Sequence, residues 1–180
     1  MMVVIGIDPG LRELGWAVLS IKKPKKIKVL SFGVIKTESE NGNTPERMWE
    51  IGKELERIFR KFSPSLCGIE SAFVWKDPSA ALKLGLVSGM CIEIARRKKA
   101  KTVVLSPLYI KSRISGNHIA DKEEMRKSVL RKIKKIPKDV SHHVIDAISI
   151  GISAFEKFER EKDEKAQRKM KKQKYENGKL

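Results

Sequence analysis

At 180 residues and 41% hydrophobic content the chain is long enough to bury the core of one compact domain, and no apolar run approaches the roughly 20 residues of a bilayer span. Thirty-nine Lys and Arg against 22 Asp and Glu leave a formal charge of +17, an imbalance that favours a polyanionic partner, nucleic acid ahead of an acidic membrane surface. The opening MMVVIGID lacks the basic region and cleavage site of a signal peptide, and Cys67 and Cys91 sit in apolar segments without Cys-x-x-Cys spacing, as buried free thiols of a cytoplasmic protein do.

Residues 3–8 read as a short buried strand ending in Asp8. After a turn at Pro9-Gly10, LGWAVLSI and IKVLSFGVIKT read as two more strands, and the short connections make the three an antiparallel meander. PERMWEIGKELERIFRKF then reads as a helix, with Pro45 at its first position and Met48, Ile51, Leu55, Ile58 and Phe59 on one face. LCGIESA is a fourth strand. PSAALKLGLVSGMCIEIARRKK is a long helix whose Gly85 and Gly89 would let another element approach closely. KTVVLSP is a fifth strand, with Ser106-Pro107 capping the next segment. DKEEMRKSVLRKIKKI is a basic amphipathic helix with Asp121 as N-cap, and a last helix begins near Asp139 or Ser141. Residues 1–158 form the domain. Residues 159–180, EREKDEKAQRKMKKQKYENGKL, have no apolar face and read as a basic helical or flexible tail. Five strands and their helices give a mixed α/β domain whose sheet is covered on both faces.

Two acids end apolar strands. Asp8 precedes a proline, which holds it extended, on the same face as Val4 and Gly6. An isolated Asp-Pro-Gly commonly caps its own turn. Glu70 changes the balance, because it ends LCGIE in the same way, two residues after a glycine. A lone buried charge costs several kcal/mol, so two such acids need a shared cation or bases. A third acid lies in SHHVIDAISI, where His142 and His143 stand four and three residues before Asp146 and either ring can share its face. Asp146, Ser149, Ser153 and Glu156 also form a polar stripe at helical period, which by itself reads as solvated. Carboxylates and an imidazole converging from two strands and a helix suit Mg²⁺ or Mn²⁺ better than zinc.

Four stretches in order, IGIDPGLRELGWAV, IESAFVWKDPSAALKLG, ISGNHIADKEEM and HHVIDAISIGISA, resemble the RuvC family of Holliday junction resolvases over about residues 3–155. The resemblance implies an RNase H-like fold with a five-stranded mixed sheet, three antiparallel strands followed by two parallel ones, and helices on both faces. It implies a homodimer that nicks both sides of a four-way DNA junction in recombination and repair, using about two Mg²⁺ ions per subunit, beside a branch-migration motor complex and with no membrane partner. The catalytic, metal-binding positions fall on Asp8, Glu70, His143 and Asp146, where many members carry Asp in place of His143.

FVWK follows Glu70. The family places a base-stacking aromatic at the position of Phe73, and its basic residues near the scissile phosphate fall on Lys111 and Lys122, with Arg113 between them. Lys76, Arg47 and the helix at 121–135 add phosphate contacts that position DNA without reading its sequence. Three rival readings remain. RuvC-like nucleases of ribosomal RNA maturation share the first motif but are shorter and lack the SALKLG-like helix. Actin-like sugar or acetate kinases need a second nucleotide-binding half for which this chain has no room. A non-catalytic junction-binding protein would bind without Mg²⁺-dependent cutting.

Overall fold

The computed structural model describes residues 1–23, 26–37, 43–71, 77–133, 135–137 and 139–177. Phe73, Trp75 and Lys76 lie outside the described residues. The strands are β1 (Met2–Asp8), β2 (Glu13–Lys23), β3 (Lys26–Lys36), β4 (Leu66–Glu70) and β5 (Lys101–Leu105). They form one sheet in the order β3-β2-β1-β4-β5. β1 pairs antiparallel with β2 and β2 with β3, whereas β1–β4 and β4–β5 are parallel, as the resemblance implies.

Strand alternation divides the core between two layers. Ile5, Ile7, Cys67 and Ile69 point toward α1 (Thr44–Phe62) and α2 (Pro78–Arg97), packing with Ile51, Leu55, Phe59 and Cys91. Val4, Ala17, Leu19 and Leu66 point to the other face, toward α3 (Pro107–Ser115), α4 (Lys122–Lys132) and α5 (His142–Asn177). The helices start where their caps dictate. Ser106 accepts from the Tyr109 amide at 3.3 Å and Asp121 from the Glu124 amide at 2.8 Å, which satisfies amides that a helix start leaves unpaired. α1 takes its cap from Asn43, whose side chain accepts from the Glu46 amide at 3.2 Å.

α5 lies across the middle of the sheet, and small residues let it come close. A methyl group added at Gly6 would stand 1.9 Å from the Ala147 carbonyl oxygen, and one at Gly15 would stand 2.3 Å from that of His143. Two glycines on neighbouring strands therefore set the depth at which the first turns of α5 sit. The tail continues α5 as helix through Asn177, without a break after Phe158.

Two expectations change. Ser149 and Ser153 are fully buried, and Ser149 donates to the Ile145 carbonyl at 2.8 Å, so the polar stripe of α5 is not a solvated face. The hydroxyls are small enough to fit under a helix that the glycines draw onto the sheet. α2 is, by length and composition, apolar enough to cross a membrane, contrary to the reading of the bare sequence. One side of it is core, with Val87, Cys91, Ile94 and Ala95 buried. The other side exposes Leu82 and Leu86, and among the described residues nothing would stand within 4 Å of a methyl group added at Gly85 or Gly89.

Candidate active site

β1 and β4 are adjacent and parallel, with Gly6 beside Gly68 and Ile7 beside Ile69. Continuing that register by one residue sets Asp8 level with Glu70, on strands about 4.8 Å apart. Both carboxylates face α5, because each is two residues beyond a glycine that faces it. The first turn of α5 supplies the remaining groups. Nδ1 of His143 lies 2.7 Å from Oδ2 of Asp8, and Nε2 of the same ring lies 3.3 Å from Oε2 of Glu13. His142 is exposed on the outer side of the helix. Spacing left the two imidazoles equivalent; the depth of α5 separates them.

The acids are held in mutual strain. Burial raises the Asp8 carboxyl above its ordinary range, against the hydrogen bond and charge of His143 and the charge of Lys122. Burial, then the negative charges of Asp8 and Asp146, push Glu70 up to about 7, with Lys111 opposing. Burial and Asp8 push Asp146 up to about 6, opposed by His143, Lys122 and Lys111. Three half-buried acids that disfavour one another's ionisation form a site short of positive charge. That deficit, in a donor set of carboxylate oxygens with one imidazole, fits a hard divalent cation. Among the described residues, no three acidic or imidazole side chains are already closed around an ion-sized space.

Glu70 and Asp146 open onto a cavity of ≈ 170 Å³, whose wall includes Lys111, Lys122 and Asp121. Lys111 from α3 and Lys122 from α4 thus stand beside the acids. Arg113 does not. Its guanidinium donates to Glu156 through Nε and Nη2 at 3.0 Å and 2.7 Å, which ties it to α5. Arg47 donates to the carbonyl and hydroxyl of Thr37, at 3.3 Å and 2.6 Å. Glu13 was missed by sequence reading. It pairs with Lys36 at 3.1 Å as well as with His143, and its one signal was strand alternation, which sets it on the face of Gly15.

The linkage between these pKa values and stability has a definite sign. A carboxyl whose folded value is about 7 instead of 4.5 costs the fold nothing below the unfolded value. The penalty grows as pH rises and is complete above the folded value. Metal-free Glu70→Gln should therefore match the wild type at acid pH and exceed it at pH above 7, by roughly 3 kcal/mol. Urea denaturation of both proteins across that range checks this, and a stability difference that does not change with pH would count against a charge-strained Glu70.

The sequence profile described as "Crossover junction endodeoxyribonuclease RuvC" matches residues 4–154. The chain belongs to the RuvC family. A crossover junction endodeoxyribonuclease RuvC of Wolbachia pipientis wMel is 34% identical over 155 residues, covering 84% of this chain and 93% of the relative. One from Prochlorococcus marinus is 33% identical over 153 residues, covering 84% and 97%. Among solved structures, T. thermophilus RuvC in complex with a Holliday junction substrate superposes with a TM-score of 0.78 at 27% identity, covering 85% of this chain and 92% of that one. The yeast mitochondrial Holliday junction resolvase shares the fold at 15% identity, with a TM-score of 0.58 and coverage of 83% and 77%. The RuvC profile ends at residue 154, so the second half of α5 lies beyond the matched residues.

Proposed function

We propose that the chain is a structure-selective endonuclease that resolves four-way DNA junctions by Mg²⁺-dependent hydrolysis of phosphodiester bonds. The observation that carries this reading is the meeting of Asp8, Glu70, Asp146 and His143 from two parallel strands and one helix, beside Lys111 and Lys122, in a member of the RuvC family. These four side chains would hold the divalent ions, with Mn²⁺ able to replace Mg²⁺. Bound there, the ions supply Lewis-acid stabilisation of phosphate charge and activation of water. The protein contributes a rigid floor. Asp8 is fixed by the strand behind it and the proline after it, and His143 is held against Asp8 by the depth of α5. Lys111 and Lys122 would neutralise the phosphate on the cavity side. Phe73 is proposed to stack on bases opened at the crossover, on the family resemblance alone.

Paired nicks need two active sites, and α2 offers the surface. Leu82 and Leu86 are 69% and 47% exposed, beside glycines whose missing side chains permit close helix contact. A homodimer formed across α2 by two-fold symmetry would bury this stripe and set two sites on one junction. Replacing both leucines by lysine should give a folded monomer with little paired cleavage, as measured by light scattering and by product analysis on a junction. A variant that stays dimeric would exclude α2. A branch-migration motor as partner is supported by family membership alone, and cytoplasmic residence by the two buried free thiols, Cys67 and Cys91.

The reading is tested by labelling each of the four strands of a mobile junction in turn. Symmetric nicks near the crossover on two opposing strands are expected. Nicks scattered along the arms would contradict it.

A further inference from the structure

A concentration of positive charge, with one acid among the described lining residues, lies at the far end of the sheet from Asp8. β1 runs from Met2 to Asp8, so the two ends are about 20 Å apart. At the Met2 end lie two open grooves, one reaching Met2 and the other Met1. One, of ≈ 550 Å³, runs between the start of β1 and the second half of α5, and its walls include Lys101, Lys162, Lys165 and Lys169. The other, of ≈ 610 Å³, begins at Met1 and is walled by Lys22, Lys28 and Lys132 from β2, β3 and α4. Among the described residues lining both grooves there is one acid, Glu161. Among the described residues none of these lysines is in an ion pair.

The direction of the helical lysines is fixed by packing. Phe158 is packed against the core, and its ring lies under the Lys101 ammonium at 4.9 Å. Lys162, Lys165 and Lys169 follow Phe158 by 4, 7 and 11 residues, and so share its face. Asp163 lies off that face, and Glu164 forms an ion pair with Arg160 at 3.7 Å. Anchoring of the first half of α5 therefore aims the second half's lysine row along the base of the sheet. A straight row of flexible cations, continued across a second groove, matches the dense and regular charge of a nucleic-acid duplex, about one per 1.7 Å of axis.

We propose that the base of the sheet and the extended half of α5 form a second, sequence-independent binding surface for duplex DNA, on the opposite side from the active site. A protein engaged with a junction would hold a further stretch of duplex there. Contacts of this kind position DNA and carry no sequence information.

The test uses the full-length protein in EDTA, saturated with an unlabelled short-armed junction and titrated with a fluorescent linear duplex at several salt concentrations. Duplex binding is expected to persist beside the junction. Lys162→Gln, Lys165→Gln and Lys169→Gln together should lower duplex affinity about tenfold at low salt and reduce the slope of log affinity against log salt by about 2–3, at about 0.9 per phosphate contact. Junction affinity and melting temperature should hold steady. Lys22→Gln and Lys28→Gln together should act in the same direction. Unchanged slopes in either variant, or exclusion of duplex by saturating junction, would overturn the proposal. Binding of phosphatidylserine vesicles with no duplex bound would overturn it in favour of an anionic lipid surface.

Discussion

Asp8→Asn is expected to lower junction cleavage by about a thousandfold or more while leaving junction binding intact or tighter. The amide keeps the shape of the carboxylate and can still hydrogen-bond to His143, so the fold around β1 and α5 should persist. It cannot supply the negative charge that the cation needs, and groups that act as a unit lose most of their effect when one is removed. Binding should tighten if anything, because one of three acids that oppose one another's ionisation at the proposed site is gone. Single-turnover cleavage with Mg²⁺ and junction affinity in EDTA read the two effects separately. Near-normal cutting would remove Asp8 from the site.

His143→Ala should reduce cleavage by about a hundredfold or more, and His142→Ala should change it less than about twofold. The asymmetry follows from helix depth. His143 lies between Asp8 and Glu13, at 2.7 Å and 3.3 Å, whereas His142 is one residue round the helix and exposed. Loss of His143 also removes a group that opposes the raised pKa of Asp146, so the remaining acids should bind cations less well at mildly acid pH. Cleavage by each variant across a Mg²⁺ titration measures both consequences. A larger loss from His142→Ala would mean that α5 is rotated by about a residue from the position described.

The acids at strand ends were legible because they break a strong pattern. Asp8 and Glu70 each terminate a buried run on the face of a glycine two residues back, and the structure brings both under α5. The antiparallel meander also followed from sequence, since the short β1–β2–β3 connections force antiparallel pairing, whereas the parallel pairing of β4 and β5 came with the family resemblance. Asp146 was harder. Helical period alone set it on a stripe with Ser149 and Ser153, and only the packing depth created by Gly6 and Gly15 turns that stripe inward. Arg113 illustrates a different limit. Its partner Glu156 is 43 residues away, and no local pattern records such a pair. Glu13 reads as an ordinary strand-edge acid until the strand register brings it against His143. The exposed half of α2 was visible only as paired glycines, and no described residue of this chain fills the space beside them.

The most direct measurement is incubation of the protein with a mobile four-way junction and, separately, with a linear duplex of the same sequence, with and without Mg²⁺. The account predicts paired nicks on the junction with Mg²⁺, none without it, and little cutting of the duplex under either condition. Junction binding without Mg²⁺-dependent cleavage, or equal cutting of junction and duplex, would contradict it.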